Sequence, residues 1–422
     1  METRIERDAL GPVDVPADAL WGAQTERARS SFDIGGRTLA ELPELVTAYA
    51  QVKAAAARAN ARFGTVAPDV AAAIEAASLA VAAGEHADAF PLPVLQGGGG
   101  TSTNMNLNEV VANLAEERLG GRRGVVERVH PLDHVNRSQS TNDTYPTALA
   151  LATIVVGREC LSGLAYLEES LRAATSLADG LHRLGRTCLQ DAVPLAAAAG
   201  LDATANALVR TAAELARALD GLLTVPLGAT AIGTGIGAPP GFGEAAVAEL
   251  ARVSGLAVTV TADRYDGLRH ADGLLAVADA LGRVWLVVSQ LARDLRLLSS
   301  GPSGGIGELL LPALQPGSSI MPGKVNPVIP ELVLQVGYEL RGMAVAVEAA
   351  AGAGELELNV MEPAIAASLL PGLERAGRTA RLFADRCIAG LRWNEERVAA
   401  NLRGSLAEAV ERATVEGHDA HG

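Results

Sequence analysis

The segment GSSIMPGKVNP, Gly317 to Pro327, sets two adjacent hydroxyls, Ser318 and Ser319, a few residues before Lys324 and Asn326. Gly and Pro hold the segment out of helix, so these groups are displayed from a loop. Three further polar islands interrupt an otherwise apolar chain. In GGGGTSTNMNLNEVVAN, from Gly97, glycines lead into Thr101 and a helix start, where N–H groups and the helix dipole can meet an anion. A plain Ser/Thr/Asn cap explains the same residues equally well. In HPLDHVNRSQSTNDTYP, from His130, the polar residues Ser138, Ser140, Thr141, Asn142 and Asp143 precede the longest helical run, more than a cap requires. In GRTCLQDAVP, from Gly185, Thr187, Gln190 and Asp191 stand between two helical runs. Together the islands supply neutral donors for two carboxylates, one cation and a candidate base, which suits a small dicarboxylate. Metal-ligand spacing and GxxxxGK[ST] are both missing, and GATAIGTGIGAPPG from Gly228 follows no βαβ pattern and reads as a turn. No metal and no cofactor are expected.

Long helices must position these islands. The chain has 422 residues, 49% of them hydrophobic but only 3% aromatic, so Ala, Leu and Val fill the core. Such a composition suits close helix–helix packing. Leu45, Tyr49, Val52, Ala56 and Ala59 form one helical stripe. Further helices are expected from Pro68 to about Ala83 and from Asn104 to about Leu119. Long helical runs follow over Thr141–Gly185, over Arg269–Gly301 and after Asn326. VWLVVSQLA, from Val284, is apolar on nearly every side, as in a helix surrounded by other helices. The fold class expected is therefore mainly α, around a central long-helix bundle extended by neighbouring subunits. LAVTVTA from Leu256 and LTVPLG read as short hairpins at best. The net charge of -14 argues against a nucleic-acid partner. Three cysteines without CxxC spacing fit a reducing cytoplasm. A charged N-terminus and the lack of a long apolar run predict no signal peptide and no membrane partner.

The four islands, in this order, resemble the fumarase/aspartase superfamily of lyases, and GSSIMPGKVNP matches its signature loop almost letter for letter. The resemblance runs from DVPADALWGAQTERARSSFDIGG to about NLRGSL. Within the superfamily, NPVIPE (Asn326 to Glu331) and LNVMEP (Leu358 to Pro363) are closer to aspartate ammonia-lyases than to fumarases. It implies a three-domain fold: an N-terminal helical domain over 1–139, a central bundle over 140–395 and a remnant of a C-terminal domain over 396–422. It also implies a homotetramer whose active sites lie where three subunits meet. By the same resemblance, Ser318 takes the Cβ proton of the substrate. Lys324 and Asn326 bind carboxylate with help from Thr187, while Thr101, Ser140 and Thr141 hold the other carboxylate. Asn142 sits near the leaving group. The implied reaction is anti-elimination of ammonia from L-aspartate to give fumarate.

Several departures from the family pattern bear on that reading. Cys188 stands where fumarases carry a histidine and some aspartases a glutamine, and a thiol is a weak donor. Glu331 thus lacks the histidine partner expected for water chemistry, and Cys188 is expected to be a buried, inert thiol. Ser319 is read as supporting the turn or acting directly. Gly237 replaces an asparagine, PLAAAAGLDA from Pro194 replaces a more polar helix start, and the chain stops where relatives continue through a small helical domain. Three alternatives stand beside aspartate: elimination of another group from a substituted succinate, fumarase activity, and a tetramer without catalysis.

Overall fold

The structure, a computed structural model, describes residues 2–403, 405–406, 410 and 413–415. It opens with a hairpin that the sequence reading missed, β1 (Thr3–Asp8) antiparallel to β2 (Gly11–Pro16). Helices α1 (Ala23–Ser31), α2 (Pro43–Arg62), α3 (Pro68–Ala82), α4 (Thr101–Arg118) and α5 (Thr141–Ser176) follow. The chain then forms β3 (His182–Thr187), β4 (Gln190–Ala196), α6 (Ala199–Gly221), β5 (Thr224–Val225), α7 (Phe242–Ser254) and β6 (Thr259–Val260). Next come α8 (Asp266–Arg269), α9 (Asp272–Leu298), β7 (Leu309–Leu310), α10 (Val328–Ala351), α11 (Glu362–Phe383), β8 (Arg392–Trp393) and α12 (Glu395–Arg403). The protein is mainly helical, as composition and periodicity require.

Three expectations need correction. α5 stops at Ser176 rather than running to Gly185, and the third island is a β3–β4 hairpin, not a linker between helices. LTV and LAVTV form no hairpin: β5 and β6 pair in parallel across the intervening α7. By length and composition α5 and α9 are each apolar enough to cross a bilayer, contrary to the expectation of no such run. Burial of 67% and 50% of their most apolar windows inside the chain accounts for that composition.

Two compact units are distinguished. The first comprises Met1–Arg158, Ala216–Asp279 and Met343–Leu373, and the second Glu159–Leu215, Ala280–Gly342 and Glu374–Gly422. The expected remnant over 396–422 begins within α12; of it, 404, 407–409, 411–412 and 416–422 lie outside the described residues. In the first unit α2 packs on α3 and α7, and α3 packs on α4. Prolines 43 and 68 open α2 and α3 at positions where a missing N–H does no harm. Ala50, Ala54, Ala55 and Ala56 of α2 are wholly buried, so small side chains bring these helices close. In the second unit, a β-carbon at Gly163 of α5 would lie 2.4 Å from the Gly377 carbonyl oxygen of α11. That crossing admits only glycine. Trp285 Nε1 of α9 donates to the Val333 carbonyl of α10 at 3.1 Å, fixing those two helices in register.

Candidate active site

In the first unit the first two islands meet. Gly100 caps α4 at φ +82°, and a β-carbon there would lie 2.1 Å from the Tyr145 ring of α5. Only glycine satisfies both the left-handed backbone and that contact. Thr101 lies exposed just beyond, its hydroxyl donating to the Gly98 carbonyl at 2.8 Å. At the start of α5, Ser140 Oγ accepts from the Asn142 N–H at 3.2 Å, and Asp143 accepts from the Ser140 N–H at 3.0 Å. This is a reciprocal cap, so Ser140 has a structural duty in addition to any substrate contact. The buried Asp143 also accepts from the N–H groups of Gly228 (3.0 Å) and Thr230 (2.8 Å). It thereby pins the Gly228–Gly237 turn against the start of α5. Asn142 Nδ2 donates to the Ala231 carbonyl of that turn at 2.7 Å. A carbonyl can only accept, so the amide is oriented with its own Oδ1 facing away as an acceptor.

Beneath these residues lies a polar cluster that the sequence reading did not include. Lys53 of α2 is 0% exposed and donates to Asn104 Oδ1 (2.7 Å), Asn136 Oδ1 (3.0 Å) and Gln139 Oε1 (3.1 Å). Asn104 Nδ2 in turn donates to Thr141 Oγ1 at 3.0 Å. Burial pushes the Lys53 ammonium down to about 7, opposed by the charge of Asp143, and raises the Asp143 carboxyl to about 6. Three acceptors around Lys53 and three N–H donors around Asp143 favour the charged form of each. Glu362, at the start of α11, is raised to about 8 by burial, and the Tyr145 hydroxyl has no hydrogen-bond partner among the described residues. One signal for Lys53 was present: it falls four residues after Tyr49, within an Ala-rich stretch that must be buried.

In the second unit, Thr187 ends β3 and lies exposed beside the two-residue turn Cys188–Leu189. Both turn residues adopt left-handed backbone, φ +54° and +61°, as a type I′ hairpin turn demands. Cys188 is exposed, which corrects the expectation of a buried thiol: a two-residue turn projects its side chains outward. Arg186 anchors the hairpin through two hydrogen bonds, of 2.7 and 3.1 Å, to the buried carboxylate of Glu308, which also accepts from Asn401 of α12.

The signature loop in the same unit closes on itself. Gly317 N–H donates to the Lys324 carbonyl at 2.7 Å, and Asn326 Nδ2 donates to the Gly317 carbonyl at 2.8 Å. Ser318 Oγ accepts from the N–H groups of Ile320 (3.2 Å) and Met321 (3.0 Å). Two aligned donors on one serine oxygen stabilise the alkoxide that a serine base requires. Ser319 and the Lys324 ammonium are exposed. Glu331, in the first turn of α10, lies 3.6 Å from Arg296 of α9. Among the described residues no hydrogen bond joins this loop to the β3–β4 hairpin.

A mainly helical fold thus carries two hydroxyl- and amide-rich helix starts in the first unit and, in the second, a serine oxygen under two N–H donors. The chain belongs to the fumarase/aspartase superfamily of lyases: a family model described as a lyase matches residues 11–342. It is 44% identical over 396 residues to the aspartate ammonia-lyase of Pseudomonas aeruginosa, covering 94% of this chain and 84% of that one. It is 43% identical over 407 residues to the class II fumarate hydratase of Ralstonia nicotianae, covering 96% and 88%. A solved structure of fumarate lyase:delta crystallin from Brucella melitensis is similar at TM-score 0.96 and 41% identity, covering 99% of this chain and 91% of that one. The two relatives differ in activity at nearly equal identity, so they give the lyase class and leave the substrate to be argued from the site.

Proposed function

We propose that the protein catalyses reversible anti-elimination of ammonia from L-aspartate to give fumarate. The observation that carries this reading is Asn142, whose amide nitrogen is tied to Ala231 so that Oδ1 is presented as an acceptor. An acceptor suits a departing ammonium, which carries its own protons. Hydroxide leaving from L-malate must instead be protonated, and Cys188 and the Arg296-paired Glu331 offer no imidazole for that task. Ser318, its oxygen under two N–H donors, removes the Cβ proton. Lys324, Asn326 and Thr187 bind one carboxylate and Thr101, Ser140 and Thr141 the other, their donors stabilising the dianion formed as the proton leaves.

The 43% identity to a fumarate hydratase supports dehydration of L-malate as the second reading. Fumarate absorbs in the ultraviolet, so a single assay compares the substrates. L-aspartate is expected to react with the higher kcat/KM. Faster reaction of L-malate overturns the assignment, and reaction of only another 2-substituted succinate replaces the leaving group while keeping the lyase.

A further inference from the structure

We propose that Lys53 is a positioning residue for Thr141: acting through Asn104, it leaves the Thr141 hydroxyl hydrogen free to be donated to a substrate carboxylate. This inference rests on the reading of Thr141 as a carboxylate ligand. An ammonium can only donate, so the three oxygens around Lys53, on Asn104, Asn136 and Gln139, must all accept. The direction of each amide is fixed in consequence. Gln139 Nε2 donates to the Val135 carbonyl at 2.9 Å, and Asn136 Nδ2 donates to the Gln139 carbonyl at 3.3 Å. Asn104, with Oδ1 on Lys53, can turn only its NH2 group toward Thr141. Thr141 Oγ1 therefore receives a hydrogen from the protein, and its own hydrogen has no acceptor among the described residues. A hydroxyl polarised in this way is a ready donor to an anion. Without the ammonium, only the 3.1 Å bond from Asn104 Nδ2 to Asn136 Oδ1 still holds that orientation; when the amide turns over, it presents Oδ1 to Thr141, which then spends its hydrogen inside the protein.

Lys53 lies at 0% exposure and Thr141 at 8%, so the lysine acts from behind the site without touching substrate. The burial of an ammonium in an Ala-rich helix is otherwise unfavourable, and three amide acceptors are a costly arrangement for a purely structural polar group.

The test is a double-mutant cycle read as the dissociation constant of succinate, a dicarboxylate with no leaving group. Thr141→Val and Lys53→Met are each expected to weaken succinate about tenfold. Together they should do little more than either alone, because both remove the same donated hydrogen. Equal and independent penalties overturn the positioning role while keeping Thr141 as a ligand. Unchanged affinity in Thr141→Val overturns the ligand reading, and this proposal with it. Asn104→Asp serves where Lys53→Met does not fold. It keeps an oxygen on Lys53 but takes away the NH2 group facing Thr141, so it should weaken succinate as Thr141→Val does. Wild-type affinity in a folded Asn104→Asp protein contradicts the proposal.

Discussion

A serine hydroxyl in water is far too weak an acid to serve as a base near neutrality, so its surroundings must favour the alkoxide. Here the Ser318 oxygen accepts from two backbone N–H groups of its own turn, and the exposed Lys324 belongs to the same loop. In the proposed reaction these two side chains divide the labour of elimination, one taking the proton and the other compensating the carboxylate charge that develops. Lys324→Ala removes the cation without disturbing Gly317, whose partner is the Lys324 backbone carbonyl. The loop should keep its shape while binding suffers. A charge-assisted bond is worth about 1.5–3 kcal/mol, so KM for the substrate should rise about tenfold to a hundredfold in steady-state kinetics. An unchanged KM would remove Lys324 from the carboxylate site.

At the scale of elements, α11 begins with a carboxyl group in an apolar place. Burial raises Glu362 to about 8, from an ordinary value of 4.5. The folded chain therefore keeps a proton that the unfolded chain releases, and the stability tied to it is fully present below about pH 4.5. That stability is lost as pH rises toward 8, by an amount on the order of a few kcal/mol. Glu362→Gln cannot ionise and should flatten this part of the profile. Urea unfolding at pH 5 and pH 8.5 compares the two proteins, and parallel losses would show that Glu362 ionises freely when folded. Elements were also where the sequence was unevenly legible. α2 could be read from its apolar stripe from Leu45, the start of α3 from Pro68, and α10 from the prolines around its start. The β3–β4 hairpin could not, because its turn is Cys188–Leu189, with none of the Asn or Gly that such a turn favours. The parallel partner of LTV lies beyond a whole helix, and periodicity carries no such information. The signature loop drew attention to Ser318 and Lys324 through residue types, and the roles expected of them came from the family resemblance. Lys53 stayed hidden because its three acceptors come from two separate segments that only the fold brings together.

At the scale of the whole molecule, the long helices leave apolar side chains uncovered. Along α10, Val333, Leu340 and Val347 are buried at seven-residue steps, whereas Tyr338 and Val345 are 66% and 65% exposed. Leu286 of α9 is 59% exposed, although its neighbours Val284 and Trp285 are buried. Such faces need covering in water, and we propose that copies of this chain cover them in a homotetramer. That assembly is the proper state in which to test the central claim, that Ser318 removes the proton. The measurement is fumarate release by Ser318→Ala, with succinate binding and sedimentation measured alongside. Turnover of L-aspartate is predicted to fall about 10²–10⁴-fold while the assembly and succinate affinity stay as in the wild type. Turnover near the wild-type rate in a correctly assembled Ser318→Ala protein would contradict the account.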